Sequence, residues 1–150
     1  MDVFHHGTGL VIDGRGILLR GPSGSGKSLL ALALLDRAAV RGGTASLVAD
    51  DQVGLVREGD AVLMTTPANI AGKIELRGRG ILERAHVARA QLHLVVDLVP
   101  DLVRMPEDDA FVTGLLGLSL PCAPVPRAGV VELPHQILLV DAALAVVASQ

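Results

Sequence analysis

The feature that most constrains this sequence is the eight-residue segment Gly-Pro-Ser-Gly-Ser-Gly-Lys-Ser at positions 21–28. It fits the pattern G-x-x-x-x-G-K-[ST], in which a glycine-rich loop cradles phosphate groups. Small residues let successive backbone N–H groups face one concavity, and a following helix adds the partial positive charge of its N-terminus. The residues expected to hold nucleotide phosphates are Gly21, Pro22, Ser23, Gly24, Ser25, Gly26, Lys27 and Ser28. Lys27 would reach the outer phosphates, and the Ser28 hydroxyl is the type of group that holds Mg²⁺.

The segments that flank this loop favour a phosphate site over the alternative interpretation, a glycine-rich turn before a core helix. Residues 16–20 are a short apolar run typical of a buried strand, and residues 29–35 begin a Leu/Ala-rich helix. This helix is apolar on nearly every face, so we expect it to be buried. The loop strand also follows an earlier apolar run at 8–12, and the Asp13-Gly14 pair between the two runs predicts an antiparallel hairpin.

Length and charge limit the classes of protein to which the chain can belong. Its 150 residues predict a single domain, residues 1–150, and its net charge of −3 provides no basic field to collect nucleic acid or anionic lipid. Only Phe4 and Phe111 are aromatic, so a surface that stacks bases is not expected. The one cysteine, Cys122, has no disulfide partner, and no apolar stretch approaches the length of a membrane span. We therefore expect a cytoplasmic protein that contacts neither nucleic acid nor membrane.

The remaining segments predict an α/β fold in which a mixed β-sheet packs around the helix after the phosphate loop. Besides the first hairpin, the expected elements are a strand at 45–49, a hairpin of 53–57 and 61–66, a charged loop at 71–82, a strand at 91–99, short strands or turns across 111–131, and a final helix at 133–147. The first helix is expected to end at Gly42-Gly43.

Phosphoryl transfer also needs an acidic group for the metal or for the acceptor proton, and two segments offer one. Asp97 closes an apolar run that resembles a Walker B strand, and Asp50-Asp51 closes the run at 46–49. Spacing alone does not choose between them. Adjacent residues of an extended chain point to opposite faces, so at most one of Asp50 and Asp51 is expected to face a given site unless the strand bends.

Other polar residues have both a functional and a simpler interpretation. His6, near the start of the first hairpin, is typical of a solvated side chain, but pairing with the loop strand can carry an imidazole toward the phosphates. Glu75, Arg77 and Arg79 are typical of a solvated loop, although the glycines among them indicate a close approach of the backbone. Arg104 is a lone cation of the kind usually found on a surface.

Taken together, these segments resemble the catalytic domain of the HPr kinase/phosphorylase family. The resemblance is carried by His6-Gly7, the Asp-Gly hairpin, the loop at 21–28, Val48-Ala49-Asp50-Asp51, and Ile-Glu-Leu-Arg-Gly-Arg-Gly-Ile at 74–81. The last segment is similar to the family's E-I-R-G-x-G-I signature. Because His6 lies almost at the start of the chain, the similarity is to a short form without the family's N-terminal domain. It implies a P-loop-containing mixed sheet of the HPr kinase/phosphoenolpyruvate carboxykinase-like type.

This resemblance implies a reaction and a partner. The reaction is the ATP- and Mg²⁺-dependent phosphorylation of a seryl hydroxyl on HPr, the small phosphocarrier protein of the bacterial sugar phosphotransferase system. The family can also reverse this reaction with inorganic phosphate. Its long members are hexameric, so the resemblance implies a homo-oligomer.

The resemblance also implies roles for individual residues. Asp50 would be the base that takes the proton of the acceptor serine and the acid that returns it in the reverse direction. His6 would lie beside Asp50 and adjust its affinity for the proton. Ser28, Asp51 and Glu75 would hold Mg²⁺.

The remaining implied contacts are to the transferred phosphate, through Lys27 and Arg104. The sequence departs from the family pattern at Arg79, where an apolar residue is usual, and at residues 124–129, which replace a P-R-P-G-R-N-like segment. These departures concern docking of the protein substrate, oligomer contacts and the reverse reaction. A kinase for another protein or a small hydroxylated molecule, and a nucleotide-binding regulatory module without turnover, stay open as alternatives.

Overall fold

The structure is a computed structural model that describes residues 3–149. Met1, Asp2 and Gln150, which belong to the predicted domain, lie outside the described residues. The helices and strands are β1 (Val3–His6), β2 (Thr8–Ile12), β3 (Arg15–Arg20), α1 (Lys27–Val40), β4 (Ala45–Ala49), β5 (Gln52–Glu58), β6 (Ala61–Thr65), β7 (Lys73–Leu76), β8 (Gly80–Glu83), β9 (Arg89–Val99), β10 (Val112–Leu115), β11 (Leu118–Pro126) and α2 (Leu133–Ala148). Neither α1 nor α2 has the length and apolarity that a membrane-spanning helix needs.

The predicted mixed sheet is confirmed. Its main path runs in the order β1-β5-β6-β9-β3-β2-β4, and β11 pairs with β9 outside that path. The pairs β3–β9 and β11–β9 are parallel, whereas the other pairs of the sheet are antiparallel. The phosphate loop therefore leaves the sheet from β3, a strand flanked on both sides.

The central strand β3 is buried on both faces because each face of the sheet carries its own hydrophobic cluster. Ile17 and Leu19 point into the cluster that contains the buried residues of α1 and α2. Leu18, between them, points into the cluster on the opposite face. Burying a leucine or isoleucine side chain contributes about 1.5–3 kcal/mol, so alternation along β3 fixes the register of the strand that carries the loop.

The predicted hairpin before the loop is also confirmed. β2 pairs antiparallel with β3, and the two residues between them, Asp13 and Gly14, have φ of 48° and 80°. Two positive φ values in a two-residue connection are the requirement of a type I′ turn, which explains the Asp-Gly sequence. The Asp13 carboxylate also accepts hydrogen bonds from the Thr44 amide and the Arg41 guanidinium, which tie the turn to the end of α1.

The structure differs from the prediction at residues 71–82, where a hairpin of β7 and β8 replaces the expected charged loop. Gly78 has φ of 93° and Gly80 has φ of 118°, so these glycines mark a turn and a strand start. Ile74 is buried whereas Lys73 and Glu75 are exposed, an alternation that the charges of the segment conceal. The hairpin forms a separate two-stranded sheet beside the phosphate loop.

The segment at 111–131 is more regular than the predicted short strands or turns. β11 continues for nine residues and contains Pro121, Pro124 and Pro126. Residues 118–121 pair only with β10, and residues 122–126 pair only with β9, so each position has one open side. Proline is tolerated there because its missing N–H can face that side.

A half-buried imidazole in β9 makes the stability of this sheet depend on pH. The Nδ1 atom of His93 accepts a hydrogen bond of 2.9 Å from the Gly16 amide. Burial lowers the pKa of His93 from its ordinary value of 6.5, and the charge of Arg15 lowers that pKa further. The unfolded chain therefore binds this proton more readily than the folded protein does, and protonation favours unfolding.

We expect the contribution of His93 to the free energy of unfolding to be complete above about pH 7. It should be lost as the pH falls through 6.5 toward the lowered pKa of the folded state. His93→Asn keeps an acceptor for the Gly16 amide and does not titrate, so its unfolding free energy, measured in urea, should vary less between about pH 5 and 7. His135→Asn, at an exposed position of α2, is the matched control. An unchanged pH dependence in His93→Asn would contradict this account.

Candidate active site

The phosphate loop joins the end of β3 to the first residue of α1 and depends on a glycine at its last position. Gly26 has φ of 95°, in the left-handed region, and lies directly before α1. A Cβ atom added there would lie 2.9 Å from the Cβ atom of Ala128. The Ala128 amide donates a hydrogen bond of 3.1 Å to the Ser25 carbonyl, so the two chains are held against each other. The first N–H groups of a helix have no carbonyl partner within it, which leaves donors at this end of α1 for an anion.

Lys27 is buried and folds back over the loop. Its Nζ atom donates hydrogen bonds to the carbonyls of Gly21 at 2.7 Å and Pro22 at 3.1 Å. Burial lowers the pKa of Lys27, and the nearby charges of Asp51 and Asp50 oppose this shift. Two of the three N–H donors of the ammonium group thus have carbonyl partners, and phosphate oxygens can replace these partners.

Asp50 connects three separate segments of the chain at the mouth of the loop. Its Oδ1 atom accepts hydrogen bonds of 2.8 Å from both the Ser28 hydroxyl and the Thr8 hydroxyl. Its Oδ2 atom accepts a hydrogen bond of 3.2 Å from the Glu75 amide. The residue is 9% exposed. The start of α1, the start of β2 and the β7–β8 hairpin therefore meet at one carboxylate.

The chain bends immediately after Asp50, so both carboxylates of the pair face the same cleft. Asp51 has φ of 71°, and its carbonyl accepts a hydrogen bond of 3.0 Å from the Gly7 amide. This is the bend that lets Asp50 and Asp51 depart from strict alternation. The His6 Nδ1 atom lies 3.4 Å from Asp51 Oδ1, so the imidazole contacts Asp51, whereas the expected neighbour was Asp50. Thr8 occupies the place beside Asp50.

These residues line a cleft of about 600 Å³. Outside residues 21–26, six predicted site residues contribute to it: His6, Lys27, Ser28, Asp50, Asp51 and Glu75. Of the other loop residues, Ser23, Gly24 and Gly26 also line the cleft. The carbonyl oxygens of Gly21 and Pro22 accept hydrogen bonds from Lys27. The structure thus brings together most of the set that the sequence singled out.

Arg104 and Asp97 lie elsewhere. Arg104 lines a second, larger cavity of about 1150 Å³ between α2, β11 and residues 100–112, whose wall is mainly apolar. Asp97 forms an ion pair with Arg20, at 2.7 Å and 2.9 Å, and accepts a contact of 3.4 Å from the Cys122 thiol. Burial raises the pKa of that thiol to about 12. Despite its size, the larger cavity is a poor place for triphosphate, because phosphate needs the loop amides and cations of the smaller cleft.

Sequence reasoning missed Thr8 and Lys73, which also line the cleft. Thr8 is the polar residue that opens an otherwise apolar strand, and it is fully buried. Its position just after His6-Gly7 was the available signal. Lys73 opens β7, in a segment interpreted as a solvated loop.

The residues of the cleft fit a Mg²⁺–nucleotide. Within residues 3–149 no group of three or more His, Cys, Asp or Glu side chains is placed to hold a metal ion alone. Mg²⁺ seldom needs such a cage, because it keeps several waters and takes one or two carboxylates together with substrate phosphates. The Ser28 hydroxyl donates its hydrogen bond to Asp50, which leaves the lone pairs of the hydroxyl oxygen for a cation. The carboxylates of Asp51 and Glu75 line the same space.

Comparisons with known proteins point to one family. A family model described as the HPr serine kinase C-terminal domain matches residues 1–110. The HPr kinase/phosphorylase of Chlorobium phaeobacteroides is 32% identical over 135 residues, which cover 81% of this chain and 40% of that protein. The HPr kinase/phosphorylase of Cupriavidus metallidurans is 37% identical over 127 residues, which cover 77% of this chain and 37% of that protein. The chain therefore spans about two fifths of the length of these relatives.

A solved structure shares the fold over nearly the whole chain. The Hpr(Ser) kinase/phosphatase from Coxiella burnetii matches with a TM-score of 0.72 and 30% sequence identity. The match covers 96% of this chain and 98% of that chain. The fold predicted from the sequence is thus confirmed by a similar solved structure.

The packing of Ala128 against Gly26 leads to a testable difference between two glycines of the loop. Gly24 and Gly26 both have positive φ, so alanine at either position carries left-handed strain of about 1–2 kcal/mol. A Cβ atom at Gly24 meets nothing within 4 Å, whereas one at Gly26 meets Ala128. We expect Gly26→Ala to lower the free energy of unfolding, measured in urea without nucleotide, more than Gly24→Ala does. Equal losses would show that Ala128 moves aside without cost.

Proposed function

This chain belongs to the family of HPr serine kinase C-terminal domains, and we propose that it is a Mg²⁺- and ATP-dependent serine kinase. Its proposed acceptor is a seryl hydroxyl of HPr or of an HPr-like phosphocarrier protein in the cytoplasm. The observation that carries the proposal is the meeting of Ser28, Asp50 and Glu75 beside the phosphate loop.

Binding of ATP is assigned to the loop and to the start of α1. Backbone N–H groups at a helix N-terminus and the dipole of the helix favour negative charge there. Lys27 now bonds the carbonyls of Gly21 and Pro22, and it would exchange them for oxygens of the outer phosphates. Its burial strengthens that interaction, because a partly desolvated ammonium gains more from an anionic partner than a hydrated one.

Ser28, Asp51 and Glu75 are the proposed protein ligands of Mg²⁺. When bound, the ion would neutralise charge on the phosphates and orient them for in-line transfer. The hydrogen bond from Ser28 to Asp50 fixes which way the hydroxyl lone pairs point. His6 contacts Asp51 and would hold that carboxylate in place.

Asp50 is the proposed base. It would take the proton of the acceptor hydroxyl as that oxygen attacks the γ-phosphorus, and it would return the proton when inorganic phosphate drives the reverse reaction. General base catalysis of this kind contributes about 10²–10⁴-fold to a rate. Arg104 is not part of the proposed machinery, because it lines the other cavity.

The proposal includes a homo-oligomer. Among the described residues of α2, only Gln136 and Val140 are buried. Leu138 and Val146 of the same helix are 67% and 58% exposed, which supplies apolar surface for a contact between copies.

The test is transfer of labelled phosphate from ATP to HPr. With Mg²⁺ and γ-labelled ATP, the protein should label a serine of HPr. Mass spectrometry of the acceptor would identify the labelled residue. Asp50→Asn should lower the rate by about 10²–10⁴-fold. It should still bind Mg²⁺–ATP, which at a hundred times its Kd stabilises the fold by about 2.7 kcal/mol in a thermal-shift measurement.

The matched control is Asp60→Asn, which makes the same change on the exposed β5–β6 turn and should leave the rate unaltered. Labelling of a different protein or of a small hydroxylated molecule would replace the acceptor. Nucleotide binding without transfer to any acceptor would overturn the proposal in favour of a regulatory module.

A further inference from the structure

Thr8 is a polar side chain of the cleft that has no role in the proposed reaction as described above. It is fully buried at the start of β2. Its hydroxyl donates a hydrogen bond of 2.8 Å to Asp50 Oδ1. A buried hydroxyl is normally hydrogen-bonded to some partner. The partner of Thr8 is Asp50, the residue assigned as the base.

An irregularity in the sheet places Thr8 opposite Asp50. The register of β2 and β4 shifts by one residue beyond Gly9, which leaves Val48 as an extra residue on β4. With the shift, Thr8 is the next residue to face Asp50, and directly opposed side chains lie on the same face of a sheet. Without it, Gly7 would hold that position and offer no side chain. Bulges of this type re-aim side chains near active sites.

The two carboxylate oxygens of Asp50 differ in the number of hydrogen bonds that they accept. A carboxylate has about four lone-pair sites, two on each oxygen. Thr8 and Ser28 both donate to Oδ1, so its two sites are filled. The Glu75 amide is the donor to Oδ2, which keeps one site open.

We propose that Thr8 is a positioning residue that, together with Ser28, saturates Oδ1 of Asp50 and leaves Oδ2 as the atom that accepts the substrate's proton. The inference rests on the proposed kinase function. In the step, the Oδ2 lone pair takes the hydroxyl proton while the hydroxyl oxygen bonds to the γ-phosphorus. The bond from that phosphorus to the β–γ bridging oxygen breaks, and its electron pair leaves with ADP.

Thr8 also fixes the side-chain rotation of Asp50. Ser28 alone would tether Oδ1 to a residue whose oxygen is the proposed metal ligand, so the carboxylate would follow any movement of the metal site. Thr8 belongs to the paired strand β2 and does not depend on nucleotide or metal. A second tether from a rigid element holds a catalytic group within the narrow range of angles that proton transfer needs.

The test compares Thr8→Val, which keeps the shape and removes the hydroxyl, with Thr8→Ser, which keeps the hydroxyl. We expect Thr8→Val to lower kcat for HPr phosphorylation by about 10-fold, a part of the full contribution of a base, with KM for ATP and for HPr nearly unchanged. Thr8→Ser should restore kcat to within about threefold of the natural protein. Thr66→Val removes a threonine hydroxyl whose bond is to the Pro67 carbonyl, outside the cleft, and should leave kcat unaltered.

The outcomes separate this inference from the function on which it rests. If Thr8→Val, folded and binding Mg²⁺–ATP normally, keeps the kcat of the natural protein, the positioning role is overturned while the kinase function stands. If Thr8→Ser, which keeps the hydroxyl, loses as much kcat as Thr8→Val, the hydroxyl is not sufficient to support kcat, and the role is again overturned. If the natural protein itself transfers no phosphate, the proposed function fails and this role fails with it.

Discussion

The Asp50 carboxylate is the point at which three otherwise separate parts of the chain are joined. Its hydrogen-bond donors come from the first hairpin, from the helix that follows the phosphate loop and from the β7–β8 hairpin. A carboxylate buried to this degree is costly unless it is hydrogen-bonded, so these donors stabilise the fold and define the cleft at the same time. The arrangement of the proposed active site is thus inseparable from the packing of the sheet edge.

The parts of the fold that the sequence predicted are those set by local chemistry. The glycine-rich loop, the Asp13-Gly14 turn and the apolar helix each depend on residues close together in the chain, and each is found as expected. The β7–β8 hairpin was mistaken for a loop because its strands are four residues long and charged on one face. Its buried side, marked by Ile74, becomes visible only when the first helix is packed against it.

The same distinction applies to the site. Lys27 and Ser28 followed from a motif, and Asp50, Asp51 and Glu75 from the resemblance to a family. Which neighbour each one contacts did not follow, because that depends on φ of 71° at Asp51 and on the register shift near Gly9. Because of these two backbone features, the His6 imidazole contacts Asp51, although it was expected beside Asp50, and the Thr8 hydroxyl bonds Asp50. Neither has a marker in the amino-acid sequence that propensity could detect.

The contact between Ala128 and the last glycine of the phosphate loop has an implication for how this domain can diverge. Residue 128 follows β11 and lies beyond the 110 residues that the family model matches. A segment outside the matched residues therefore packs against the last glycine of the phosphate loop and bonds to the residue before it. Substitutions in this C-terminal segment would therefore act on the conformation of the phosphate loop through one methyl group, without changing any residue of the loop itself.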